Sequence, residues 1–101
     1  MAEGKVTVLA VMKARDGKAE QARKVMEALI APTRSEEGCI NYDLHHSLDN
    51  PGTFMFHENW RSKQDLDEHL AKPYLVDFLG MGDELFVEPA QVTIWEEISS
   101  K

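Results

Sequence analysis

Four residues in the middle of the chain, Tyr42, Glu58, Trp60 and His69, combine types that can move a proton beside a flat ring, with Phe56 among them. Glu58 falls between Phe56 and Trp60 on a segment, 53–60 (TFMFHENW), that alternates like a strand. A carboxyl group between two large aromatics loses its hydration, holds its proton to higher pH, and becomes a candidate proton acceptor. At a sheet rim the same glutamate would simply pair with Lys or Arg. Trp60 and Tyr42 can floor an aromatic pocket or serve as plain core. His69 follows Leu66 at helical spacing, so its imidazole points toward whatever that face covers. It titrates near neutrality, which suits a general base, although an inward histidine can equally be a hydrogen-bonded structural residue.

Pairing 39–47 (CINYDLHHS) with 53–60 decides which of these residues meet. A turn centred on Pro51 sets Tyr42 opposite Trp60, Leu44 opposite Glu58 and His46 opposite Phe56. One face then carries Tyr42, Leu44, His46, Phe54, Phe56, Glu58 and Trp60. The other carries Asn41, Asp43, His45, Met55, His57 and Asn59, and one bulge would exchange the faces beyond it. On the second face His45 and His57 oppose each other near Asp43, a donor set that suits iron with open positions. Surface or interface histidines are the plainer reading, and no tight ligand spacing supports a metal, so none is expected. Cys39 has no basic partner in view and reads as a small hydrophobe. Phosphate loops, nucleophile elbows and zinc spacings are absent from the sequence.

The elements that must position these residues follow from periodicity. Residues 5–13 (KVTVLAVMK) are apolar on both faces and read as a strand that expects cover on each side. Asp16-Gly17 starts a helix carrying Glu20 in its first turn and Ala22, Val25, Met26 and Leu29 on one face; Pro32 should kink or end it. Asp49-Asn50-Pro51-Gly52 is a turn. Ser62 is an N-cap for a helix bearing Leu66, His69 and Leu70, and Pro73 opens a further turn with Tyr74, Leu75, Phe78 and Leu79. Gly80-Met81-Gly82 loosens that segment, and Pro89 precedes a last strand at 91–98 (QVTIWEEI). The order βαββαβ predicts a ferredoxin-like α+β domain with a four-stranded antiparallel sheet, spanning 1–101. Two helices cover one face of such a sheet. The apolar second face, with Trp95 opposite in sense to Val92 and Ile94, predicts a homodimer packed sheet to sheet.

A chain of 101 residues makes one domain, with no internal repeat or linker. The net charge of −7 argues against nucleic acid and anionic membrane surfaces as partners. A single cysteine excludes an internal disulfide, and neither a signal-peptide core nor a membrane-length apolar stretch occurs, so the expected location is cytoplasmic.

Glu37-Gly38-Cys39-x-x-Tyr42, a Pro-containing turn, Glu58-x-Trp60-x-Ser62 and then His69 together resemble the antibiotic biosynthesis monooxygenase family, in particular its small quinol monooxygenases. The likeness runs from the first strand through the Pro89 turn. It implies a dimeric α+β barrel with a pocket between sheet and helices. It also implies oxygenation of a quinol-like or polyketide-type aromatic by O2 without metal, flavin or haem. In that scheme His69 or Glu58 supplies the base, Phe56 and Trp60 the walls, and Tyr42 a hydrogen bond. The haem-degrading branch uses an Asn, a Trp and a His where this chain has Val11, His69 and Leu79, so haem degradation is not expected. The rival functions are an isomerase or other non-oxidative enzyme on a small carbonyl compound, for which Asn41, His45 and His57 would matter, and a non-catalytic small-molecule-binding stress protein.

Overall fold

The structure, a computed structural model, describes residues 4–99. Strand β1 (Val6–Lys13) is followed by helices α1 (Ala19–Glu27) and α2 (Ile30–Arg34), then the hairpin β2 (Cys39–His46) and β3 (Thr53–Trp60). Helices α3 (Lys63–Leu70), α4 (Pro73–Gly80) and α5 (Gly82–Leu85) lead to β4 (Gln91–Trp95). All strand pairs are antiparallel, in the order β2-β3-β1-β4, which is the ferredoxin-like α+β arrangement the pattern predicts.

The period of two is visible in burial. Val8, Ala10 and Met12 are buried in β1, as are Phe54, Phe56, Glu58 and Trp60 in β3, while the residues between them are half-buried. Helix α1 lays Ala22 and Met26 against this inner face. The chain then breaks at Ala28–Leu29, one turn before Pro32, where the proline ring would meet the carbonyl four residues back. Gly17, at φ 80°, takes the left-handed position in the turn leading to α1. Ser62 caps α3 by accepting the Asp65 N–H, and Arg61 grips the Asp65 carboxylate through two nitrogens at 2.9 Å each. This clamp sets the rotation of α3, turning Leu66 and His69 inward.

Three expectations are corrected. Tyr42 stands opposite Glu58, not Trp60; Leu44 opposite Phe56, and His46 opposite Phe54. The Ser47 hydroxyl accepts the N–H groups of Asp49 and Asn50, so the turn centres on Asn50 and the register moves by two residues. A two-residue move leaves each side chain on its expected face. A bulge between Cys39 and Asn41 turns Ile40 outward and sets Cys39 against Trp60 at the core edge. Strand β4 ends at Trp95 rather than at residue 98; its pairing with β1 stops where Trp95 stands opposite Thr7. Finally, His57 lies across from Asp43 and His45 across from Met55, so the two histidines do not oppose each other.

Candidate active site

Between the inner face of the sheet and helices α3 and α4 lies a cavity of about 80 Å³. Its walls are apolar, from Val8, Ala10 and Met12 below to Leu75 and Phe78 above, and its polar groups come from Tyr42, Glu58 and His69. Phe56 also lines it, stacked on Tyr42 with ring centroids 4.5 Å apart. Four of the five sequence-predicted site residues are therefore on one cavity, brought there by two strands and a helix.

Trp60, the fifth, is fully buried and lies outside the lining. It acts on the cavity through its neighbours: its Nε1–H donates to Glu58 Oε1 at 2.8 Å, and its ring lies 4.5 Å from that of His69. Burial pushes the Glu58 carboxyl up to about 7, against the pull of the Trp60 hydrogen bond. The same loss of water holds the His69 imidazole below its ordinary value, although Glu36 works in the opposite direction. Tyr42 is likewise held protonated by burial. At neutral pH the cavity thus presents a neutral imidazole, a carboxyl near its midpoint and an un-ionised phenol, a set able to take and return one proton.

Glu36 is the site residue that pattern reading missed. It sits just before β2, its Oε2 lies 2.9 Å from His69 Nδ1, and the same oxygen accepts from the Tyr74 hydroxyl. Its only sequence signal is the pair Glu36-Glu37, which does not say which glutamate turns inward. In the fold, the Glu37 side chain is 87% exposed and the Glu36 side chain 8%.

A larger open groove of about 400 Å³ runs past Arg23, Glu27, Leu44, His45 and His46, but it holds none of the buried groups just described. On the outer sheet face the Asn41, Asp43 and His57 set forms hydrogen bonds rather than a ligand cage. Among the described residues no group of three or more His, Cys, Asp or Glu is arranged to hold a metal ion. Burial raises the Cys39 thiol to about 11, so it is not a nucleophile at neutral pH.

Residues 5–80 match the sequence pattern of the family described as Antibiotic biosynthesis monooxygenase. The chain belongs to this family. It is 36% identical over 89 residues to "Putative monooxygenase Rv0793" of Mycobacterium tuberculosis, covering 88% of this chain and 87% of that one. The solved structure of Rv0793 superposes with a TM-score of 0.91 at 33% identity, over 96% of this chain and 98% of that one. The structure of SO0527 from Shewanella oneidensis gives 0.89 at 30% identity, over 95% and 93%. "Uncharacterized protein sll1783" of Synechocystis is 30% identical over 95 residues, which span 94% of this chain but 65% of that longer protein. For this member of the antibiotic biosynthesis monooxygenase family, the matched stretch contains both strands of the hairpin and α3, the elements that carry Tyr42, Phe56, Glu58 and His69.

Proposed function

We propose that this chain is a cofactor-independent monooxygenase that oxidises a quinol-like aromatic with O2. The observation that carries the reading is the placing of His69 and Glu58, both desolvated, on one apolar cavity beside the Tyr42–Phe56 stack in a chain of this family. A ring hydroxyl gives its proton to His69, and the resulting electron-rich anion passes an electron to O2. One oxygen atom enters the ring and the other leaves as water. The ring gives up four electrons in all, turning a quinol into a hydroxyquinone, so no external reductant is needed. Glu58, half-protonated near neutrality, can return a proton to the departing oxygen. Phe56 and Tyr42 hold the ring by stacking and a hydrogen bond, and Trp60 holds Glu58 and His69 in place.

A cavity of about 80 Å³ is too small for such a ring, since benzene occupies an engineered cavity of about 150 Å³. The mouth supplies the remaining space. Leu70, Leu79, Val92 and Ile94 line it and are each about half exposed, so they can part to admit a flat apolar ligand.

A homodimer completes the reading. The outer sheet face carries Leu9, Val11 and Met55, all half-buried, and Trp95, 54% exposed. Its polar groups already bond to one another, Asn59 to Asn41 at 2.8 Å and Asn41 to Asp43 at 3.0 Å, so covering this face orphans few of them.

The test is oxygen uptake by the purified chain with a panel of benzoquinols and naphthoquinols. Stoichiometric O2 consumption with a hydroxylated quinone as product supports the reading. Uptake no faster than the buffer background across the panel overturns it.

A further inference from the structure

Glu36 is buried without a cation. Its side chain is 8% exposed, and among the described residues no Lys or Arg lies within ion-pair distance of it. Two neutral groups take that place. His69 Nδ1, from α3, and the Tyr74 hydroxyl, from α4, both meet the same oxygen, Oε2. The backbone around Glu36 is held as firmly: its N–H donates to Thr33 O at 3.0 Å, and its C=O accepts from Cys39 N–H at 3.0 Å. A carboxylate so placed is aimed before any ligand arrives.

We propose that Glu36 is the positioning residue of His69: its carboxylate accepts the Nδ1–H, which fixes the imidazole as the Nδ1–H tautomer and leaves the Nε2 lone pair for a ligand in the cavity. The proposal rests on the reading of His69 as the base of the proposed reaction, but its structural content does not need that reading. In a neutral imidazole one nitrogen carries the hydrogen and the other accepts, and the bond made by the first decides which. With Nδ1 engaged by an acceptor, only Nε2 can receive a substrate proton. Once it does, the imidazolium lies against a carboxylate rather than in bare apolar surroundings, as in the histidine–carboxylate pairs of hydrolases. Tyr74 gives the carboxylate a second donor and ties it to α4, whose Leu75 and Phe78 roof the cavity.

Several charged or titratable groups bear on His69 and must enter its pH behaviour. Glu36 faces it from the α2–β2 connection, Tyr42 from β2, Glu58 across the cavity from β3, and Lys72 and Tyr74 from the start of α4. Glu36 favours the protonated ring, whereas burial and Lys72 oppose it.

The experiment is nitrogen NMR of the histidine-labelled full chain, with the His69 signals identified by their loss in His69→Gln. The wild-type ring is expected as the Nδ1–H tautomer, the less common one in free histidine. Glu36→Gln removes the charge but keeps an acceptor, so His69 should keep its tautomer and protonate at lower pH than in wild type. In the quinol assay Glu36→Gln should lose about tenfold or more in kcat/KM, mostly through kcat, and the acid limb of its pH profile should move the same way. Tyr74→Phe should keep the Nδ1–H tautomer. An Nε2–H tautomer in wild type overturns the proposal and needs no variant to fold. An unchanged His69 titration in Glu36→Gln overturns it as well. The expected tautomer and titration together with no quinol oxidation would support the positioning and remove the monooxygenase reading alone.

Discussion

Replacing Glu58 by Gln tests the dryness of the cavity without any substrate. A glutamate in the unfolded chain ionises near 4.5, whereas burial moves the folded group up to about 7. Between those values the unfolded chain has released a proton that the folded chain still holds. Stability from this group is therefore full below pH 4.5 and is lost as pH rises through 7. A separation of about 2.5 pH units, at about 1.4 kcal/mol each, makes the full loss about 3.5 kcal/mol, of which about 3 kcal/mol falls between pH 4.5 and pH 8. Glutamine has the shape of the protonated acid and can still accept the Trp60 Nε1–H, now made at 2.8 Å. Glu58→Gln should accordingly match wild type at pH 4.5 and exceed it by about 3 kcal/mol at pH 8. Held below its ordinary value, His69 works the other way: it removes stability as pH falls below about 6.5. That displacement comes from burial, Glu36 and Lys72, which both proteins share, so most of it drops out of their difference. The assay is urea unfolding of both at fixed protein concentration across this range. An advantage that does not grow with pH would mean that Glu58 is hydrated, and the argument for a water-excluding cavity would fall with it.

In the quinol assay, His69→Ala should lose about a hundredfold or more in turnover, while His45→Ala, on the outer face away from the cavity, should be nearly silent; circular dichroism checks that both fold. Undiminished turnover in folded His69→Ala would pass the role of base to Glu58. Gly38→Ala sets a methyl carbon 2.2 Å from Asp65 Cγ, so Asp65 must shift and loosen its grip on Arg61 and Ser62. Chemical denaturation should show a loss of about 1–3 kcal/mol. Sedimentation at micromolar concentration should show a dimer, and Trp95→Lys on the outer face should weaken it. A stable folded wild-type monomer would refute the sheet-to-sheet assembly.

Much of this arrangement is already decided by local pattern. Alternation along 53–60 places Phe56, Glu58 and Trp60 on one face wherever the strand lies, because successive side chains on a strand point to opposite sides. Ser62 starts α3, and the helical repeat from there carries His69 inward. Such choices depend on a residue and its near neighbours. The register of the hairpin does not: it follows from the Ser47 hydroxyl bonding two backbone N–H groups in the turn, a competition that turn composition leaves open. Nor is the choice between Glu36 and Glu37 local. Two identical side chains follow one another, and the inward one is selected because α3 and α4, arriving more than thirty residues later, bring an imidazole and a phenol to it. The acidity of Glu58 has the same origin. A glutamate between aromatics can lie in water or in a core, and only the packing of the helices over the sheet removes the water that would otherwise keep its pKa ordinary.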